Sequence, residues 1–170
     1  MPNTFTKIQT VTVGSGGTGT ISFTSIPSTY TDLYILISCR TNRADVKDYI
    51  AVRPNGTTTS DTSKTLSGDG TSASSDTEST VILVTTTGGT ATTSIFGNAE
   101  IYFPSYTSTS IKKSLSMNGV GENNATESRI QNSNGLWDAT TAISSIDLVP
   151  YIGTLFIENS TATLYGILKA

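Results

Sequence analysis

Short runs of alternating apolar and polar residues recur along the chain, with turn residues between them. The clearest run covers residues 94–103, where Ile101 and Phe103 fall on one face and Glu100 and Tyr102 fall on the other. Successive side chains of a strand point to opposite faces, so this run predicts a β-strand. Similar runs cover residues 4–13, 20–23, 33–39, 49–53, 80–85 and 111–117. No segment repeats with a helical period, so the sequence predicts an all-β protein.

The run at residues 33–39 is apolar on both faces. Leu33, Ile35 and Ile37 share one face, while Tyr34 and Leu36 lie on the other. A strand of this kind is either central to a sandwich or contributes its second face to a subunit interface.

The end of the chain, residues 135–170, carries three more apolar runs. They cover residues 142–149, 154–158 and 162–168, and they are separated by Pro150, Gly153 and the pair Asn159-Ser160. Proline presets φ, and glycine and asparagine tolerate positive φ, so these residues suit tight turns between three strands. At the other end, residues 1–13 form an N-terminal arm or first strand, and its interrupted alternation predicts a bulge near residues 7–9.

Two long stretches, residues 57–79 and 120–134, are rich in Ser, Thr, Asp, Asn and Gly. They hold too few apolar residues to bury a core, so we expect two long exposed loops, or, for residues 57–79, an irregular segment that becomes ordered against a neighbour. The mixed charges at residues 40–48 are expected to lie on a solvated surface, with pairing between subunits as the alternative. Short turns alternating with two long loops indicate an antiparallel β-sandwich of jelly-roll type, in one domain spanning residues 1–170.

Charge and hydropathy narrow the range of partners. The chain has 170 residues and a net charge of −3, and its basic residues are scattered, so we expect no nucleic-acid partner. No apolar run approaches the length of a membrane span, and no signal peptide is evident, so we expect no membrane partner and synthesis in a host cytoplasm.

Few residues suit catalysis or metal binding. There is no histidine, and Cys39, the single cysteine, is expected to be a buried small hydrophobe. The carboxylates Glu100, Asp147 and Glu158 lie on predicted strands, but a glycosidase needs two that converge across a cleft. Ser114 lies on the opposite strand face from its neighbour Lys113, which could otherwise serve as its base. We therefore expect no catalytic residues, no metal and no cofactor, and a small hydrolase is the last of three hypotheses.

Several strings near the two ends of the chain are similar to those of one known family. They are GLW at residues 135–137, TAISSI at 141–146, STATLYGI at 160–167, ISF at 21–23, IPSTYTDL at 26–33 and the pair Cys39-Arg40. In these strings the chain resembles a family of small virion proteins of tailed bacteriophages, and the resemblance implies a jelly-roll fold.

Our first hypothesis is a non-enzymatic decoration or cement protein on the outer surface of a phage capsid. A homotrimer would bridge neighbouring subunits of the major capsid protein, and several weak contacts would act together. A sandwich buries only one face of each sheet, so the second-face apolar residues are candidates for the trimer contact, namely Tyr34, Leu36, Phe96 and Tyr102. The candidates for the capsid contact are Phe5, Lys7 and Asp69.

The second hypothesis is the receptor-binding head of a tail fibre, which would recognise carbohydrate through aromatic and amide side chains in loops. Its candidate residues are Tyr106, Asn132, Asn134 and Trp137, although Trp137 also suits the core.

Overall fold

The computed structural model describes residues 4–57, 61–123 and 127–168, and these residues form twelve β-strands. The strands are β1 (Phe5–Thr12), β2 (Ile21–Phe23), β3 (Asp32–Cys39), β4 (Lys47–Pro54), β5 (Thr62–Gly68), β6 (Ala73–Glu78), β7 (Ile82–Thr87), β8 (Gly97–Phe103), β9 (Lys113–Glu122), β10 (Ser128–Trp137), β11 (Ile146–Pro150) and β12 (Thr161–Ile167). The predicted all-β class is confirmed. In the part of the chain that the structure describes, no helix is long and apolar enough to cross a membrane.

The strands form two sheets in which every named pair of neighbours is antiparallel. The large sheet has eight strands in the order β1-β12-β3-β8-β9-β10-β5-β6, and the small sheet has four in the order β2-β11-β4-β7. The predicted antiparallel β-sandwich is therefore confirmed.

The core lies between the two sheets and is filled by the face of each strand that the alternation places inward. The large sheet contributes residues such as Ile35 and Ile101, and the small sheet contributes Ile50, Ile82 and Leu148, all fully buried. Branched side chains of this kind pack well on a pleated surface. Cys39 lies in the same core as a free thiol, as predicted.

The bulge predicted in the first strand is confirmed, because the pairing of β1 with β12 shifts register between Lys7 and Gln9. The strand predicted at residues 154–158 is wrong. Phe156 forms only isolated bridges, one with Thr18 and one with Thr41. The Phe156 side chain is fully buried. The run is therefore apolar because it packs into the core from a loop, and not because it forms a strand.

The two long polar loops are also corrected. Residues 57–79 contain the hairpin of β5 and β6, and residues 120–134 contain the end of β9 and most of β10. These strands continue the large sheet beyond β8. Strand pairing satisfies backbone groups whatever the side chains are. Polar residues such as Gln131 and Ser133 occupy buried positions on β10, and β5 and β6 contribute no residue to the hydrophobic core, so composition alone did not predict these strands.

A polar side chain of β5 also covers part of the free edge of β7. The Ser63 hydroxyl donates to the Val81 carbonyl at 3.0 Å and accepts from the Leu83 amide at 3.4 Å. Unpaired edges invite pairing with other chains, and these contacts cover one. We call the hairpin β5–β6 together with the adjoining part of β10 the overhang.

Candidate functional site

The side of the large sheet that faces away from the small sheet forms a broad, nearly uncharged surface, which we call the outer face. The register of the strands aligns its side chains in rows. One row runs across β12, β3 and β8 through Tyr165, Tyr34 and Tyr102, and the next runs through Thr163, Leu36 and Glu100. The pleat therefore brings three tyrosines from distant parts of the sequence side by side.

The first apolar patch of the outer face lies on β1, β12 and β3. The Phe5 ring packs edge-on against Tyr34 and Tyr165, with centroid distances of 5.9 and 6.2 Å. Edge-to-face geometry is favourable between aromatic rings. Leu36 follows Tyr34 on the same face and is exposed. We call these four residues the aromatic patch.

A second apolar patch lies about four strand spacings away, on β9, β10 and β5. Val120 and Ile130 are direct cross-strand partners, and Leu66 lies diagonally across from Ile130, because it pairs with Asn132. Ile130 is 64% exposed and Leu66 is 61% exposed, so neither is part of the core. We call these three residues the aliphatic patch.

A chain of hydrogen bonds joins the two patches. The Asn132 amide donates to Asn118 Oδ1 at 2.6 Å, and the Asn118 amide donates to Glu100 Oε1 at 2.8 Å. The Tyr34 hydroxyl donates to the other oxygen of Glu100. The polar centre of the outer face is therefore largely satisfied within the subunit, which reduces the cost of covering it.

The two inner tyrosines stay neutral over the physiological pH range. Burial and the Glu100 carboxylate raise the pKa of Tyr34 to about 12. The Tyr102 hydroxyl donates to Asp32 Oδ2 at 2.7 Å, and this bond, together with burial, raises its pKa to about 12. Both phenols therefore act as neutral donors that are already bonded.

Charged side chains are few on this face. Along its described strands the alternation places Lys7, Lys64, Asp32, Glu100 and Glu122 outward, two basic and three acidic, and the Asp32 side chain is buried. Protein interfaces have aromatic residues in place of charges at their centre. The outer face therefore has a small net charge.

The structure brings together most of the residues predicted to make protein contacts, but not all. Tyr34, Leu36 and Tyr102 share the outer face with Phe5 and Lys7, so the predicted trimer and capsid candidates occupy one surface. Phe96 does not join them. It precedes β8 and lines an open hollow near Arg43 and Asn159.

Asp69 lies at the opposite edge of the large sheet from Phe5, in the turn between β5 and β6. Its Oδ1 accepts from the amides of Thr71 and Ser72 at 2.8 and 2.7 Å, and these bonds lower the pKa of the carboxyl group. Asp69 therefore holds a turn together, which is a common role of aspartate.

The loop-based carbohydrate site is not assembled. Tyr106 and Trp137 are almost fully buried, and both belong to the core. Both rings fill the interior of the sandwich, so neither is available on an exposed loop. Asn132 and Asn134 are exposed, but they lie on β10 within the outer face.

The candidate carboxylates do not converge. Glu100 lies on the large sheet, Asp147 lies on the small sheet opposite Arg53, and Glu158 lies in the loop before β12. Among residues 4–57, 61–123 and 127–168, no group of three or more cysteine, aspartate or glutamate side chains could hold a metal ion. Ser114 is exposed and Lys113 is buried, as their alternation predicted.

Two buried cations were missed by the sequence interpretation. The Arg40 guanidinium donates to the carbonyls of Gly89, Ala91 and Thr92 at 2.8, 2.6 and 2.7 Å. The second buried cation is Lys113, which is 1% exposed. The expectation that residues 40–48 are solvated is therefore wrong for Arg40, and also for Asp48, which is fully buried and accepts from the Thr41 hydroxyl at 2.7 Å.

The aliphatic patch was missed as well. Leu66, Val120 and Ile130 each stand among polar residues in the sequence, so no single stretch carries an apolar alternation that would predict the patch.

Comparison of the chain with family models, with curated proteins and with solved structures finds no match.

Proposed function

We propose that the chain is a non-enzymatic structural protein that associates with copies of itself through the outer face, as a homotrimeric decoration or cement protein on a phage capsid. The observation that carries the proposal is the pair of apolar patches on an otherwise weakly charged sheet. Exposed apolar surface of this extent marks interaction sites in soluble proteins.

The strand order supports a jelly roll as the framework. Without the hairpin β5–β6 and the pair β9–β10, the two sheets read β1-β12-β3-β8 and β2-β11-β4-β7. Four strands face four strands, and successive strands alternate between the sheets except for β4 and β7, which pair with each other in the small sheet. This is the pattern of an eight-stranded jelly roll. The two inserted pairs then widen one sheet into the outer face.

The size of the outer face also suits association. Eight strands about 4.8 Å apart span about 34 Å, and strands of about seven residues run for about 23 Å. The projected area is therefore about 800 Å², which matches the area that each partner contributes to a typical stable interface.

Two different patches favour a cyclic assembly over a symmetric dimer. In a ring, the aromatic patch of one subunit would contact the aliphatic patch of the next. Adjacent strands rotate by about 20–25°, so patches separated by four strand spacings face different directions. Such a relationship allows both patches to be covered at once around a symmetry axis.

The location on a capsid rests on the sequence resemblance to phage virion proteins. A trimer that touches several capsid subunits would gain strength from multiple contacts, and separation of those subunits would break the contacts with the trimer as well. The β1 edge, with Lys7, and the turn at Asp69 lie at the two ends of the outer face and remain the candidate capsid contacts.

The test is the solution mass of the purified chain by light scattering, with outer-face variants. We expect three times 17.8 kDa for the wild type. Leu36→Lys and Ile130→Lys place a charge in each patch and should weaken association by at least about tenfold. Ile152→Lys, at an exposed position outside the outer face, is the matched control and should leave the mass unchanged. A monomeric wild type would contradict self-association, and patch variants with unaltered mass would contradict association through the outer face.

Co-sedimentation with mature capsids of the phage that encodes the chain tests the proposed location on a capsid. Binding to capsids by the wild type and loss of binding with the two patch variants would support a trimeric cement protein. A trimer that stays in the supernatant would exclude the capsid role while leaving the self-association intact.

A further inference from the structure

The overhang forms a second surface feature, separate from the outer face. Its inner side curls over strand β7 and encloses a cleft of about 370 Å³ against the outward side of the small sheet. The residues that line it include Tyr49 and Leu83 of the small sheet, Asp76 of β6, and Arg129 and Gln131 of β10. We call this space the overhang cleft.

Two polar groups beside this cleft lack partners among the described residues. Gln131 is 1% exposed, and its Nε2 donates to the Ser133 hydroxyl at 2.6 Å, but its Oε1 accepts no hydrogen bond. Arg129 Nη2 donates to the Ser67 hydroxyl at 2.8 Å, but its Nε donates to no acceptor. Buried polar groups in native proteins are nearly always paired, so these two atoms could accept a hydrogen bond from a bound molecule and donate one to it.

The aromatic rings of the cleft narrow the chemistry of that molecule. The Cζ atom of Arg129 lies over the Tyr49 ring, 5.7 Å from the ring centroid. Tyr151 also lines the cleft, and 45% of its surface is exposed. A suitable ligand has an apolar face that can stack on a tyrosine ring, and it has hydroxyl groups that can both donate and accept hydrogen bonds.

The charges of the cleft are balanced. Lys47 and Arg129 supply two positive charges, and Asp76 and Glu78 supply two negative charges. Arg129 Nη2 lies 3.9 Å from Asp76 Oδ2, so part of this charge is already paired. A strongly anionic or cationic ligand would meet repulsion from one pair, whereas a neutral polar ligand would not.

We propose that the overhang cleft binds a neutral sugar, as a single pyranose or as one residue of a glycan. A pyranose ring offers a C–H face that stacks on tyrosine, and its hydroxyl groups can both donate to and accept from the polar side chains of Arg129 and Gln131, which line the cleft. The cleft volume lies at the small end of the range for ligand pockets, about 300–1,000 Å³. This inference goes beyond the structural role proposed above and does not depend on it.

The test is a titration of the full-length, isotope-labelled chain with glucose, galactose, mannose and N-acetylglucosamine. Amide chemical shifts are measured at each step of the titration. We expect at least one of these sugars to shift the amides of Arg129, Gln131 and Tyr151. Inorganic phosphate and sialic acid serve as charged probes and should not shift them. A cleft filled by ordered water only, seen as no response to any neutral sugar at millimolar concentration, would overturn the proposal. So would a response to the charged probes alone, or shifts that map elsewhere.

Variants connect the response to the cleft. Tyr151→Ala removes an exposed ring and should weaken sugar binding by about tenfold without unfolding the protein. Ile152→Ala, the next exposed apolar residue, is the matched control and should bind like the wild type. Ser74→Tyr adds bulk from an exposed position on the cleft wall and should abolish binding. Equal binding by Tyr151→Ala and Ile152→Ala would overturn the proposal, whatever the oligomeric state.

Discussion

The ammonium group of Lys113 lies 5.2 Å from the centroid of the Trp137 ring, and the two residues are direct cross-strand partners on β9 and β10. Lys113 is 1% exposed. Its Nζ donates to the carbonyls of Ser108, Thr140 and Thr141 at 2.6, 2.8 and 2.6 Å. Three carbonyl dipoles and a π face thus solvate a buried cation and tie two loops to the core.

Replacement of Lys113 by methionine should destabilise the fold. Methionine retains the apolar stem but leaves three carbonyl groups without their donor, at a cost of about 2–4 kcal/mol in the free energy of unfolding. Urea denaturation measures this change. Lys112→Met is the matched control, since Lys112 pairs with Asp138 at the surface and its loss should cost less than about 1 kcal/mol. Equal stability of the two variants would contradict a structural role for Lys113.

The sequence predicted the strand face of Lys113 correctly, because Leu115 and Met117 follow it with a period of two. It could not predict the role of Lys113. The three carbonyl groups belong to residues up to 28 positions away, and only the folded loops bring them together. The same limit applies to Arg40. Its charge predicted a position on the surface, but its guanidinium group donates to a cluster of loop carbonyl groups.

Alanine at Gly166 should destabilise the protein. Tyr30 packs directly over Gly166, and a Cβ atom at this position would overlap its ring. Overpacking of this kind costs about 1–3 kcal/mol, because either the ring or strand β12 must move. Thermal unfolding provides the measurement. Gly121→Ala is the control, since its Cβ would meet no atom closer than 3.5 Å. A Gly166→Ala protein as stable as Gly121→Ala would show that Tyr30 can move away freely.

The thiol of Cys39 should resist alkylation in the folded protein. It is fully buried beside the Thr86 hydroxyl, with Sγ 3.1 Å from Oγ1, and burial raises its pKa to about 12. At pH 8 only about one thiol in ten thousand would be ionised, and the thiolate is the reactive form. We expect labelling by a disulfide reagent in 6 M guanidinium only.

A Ser28→Cys variant, with an added thiol at an exposed position, is the positive control for this labelling and should react at once in the folded state. Stoichiometric labelling of wild-type Cys39 within minutes under native conditions would show that the core opens readily.

Alternation along the chain predicted most of the strands that face the core, and it failed where polar residues occupy the inward positions of a strand, as in β10. β5 and β6 were judged to be loops because Ser, Thr and Asp dominate them, yet they pair through their backbones at the edge of the large sheet. Phe96 was placed on the outer face by extending the alternation of β8 backwards, but the strand begins only at Gly97. Composition indicates what a segment can bury, whereas neighbouring strands decide whether it pairs.

The outer face was partly predictable for the same reason. The second faces of β3 and β8 could be listed from the sequence, so Tyr34, Leu36 and Tyr102 were found. Their convergence with Phe5 and Tyr165 depends on β12 lying between β1 and β3, which is a consequence of topology. The overhang cleft depends on the same long-range order and had no signal in any single stretch.

Substitution of Asp61 by asparagine should stabilise the protein near neutral pH. Asp61 is 1% exposed, and burial, reinforced by the nearby Asp138 carboxylate, raises its pKa from 3.8 to about 6. Between these two values the folded state binds a proton that the unfolded state has lost, so stability decreases as pH rises through this window. Above pH 6 the buried charge imposes its full cost.

The Asp61→Asn variant lacks this charge at every pH. We expect it to exceed the wild type in free energy of unfolding by about 1 kcal/mol at pH 7.5, a value reduced for solvent screening, and to match it at pH 3.5. Urea denaturation at several pH values gives the comparison. Asp76→Asn removes a carboxylate whose side chain is 58% exposed and controls for the change in net charge. A variant less stable than the wild type at pH 7.5 would mean that the Asp61 carboxylate stabilises the fold through its 3.4 Å contact with the Asp138 amide, which would then outweigh the cost of burial.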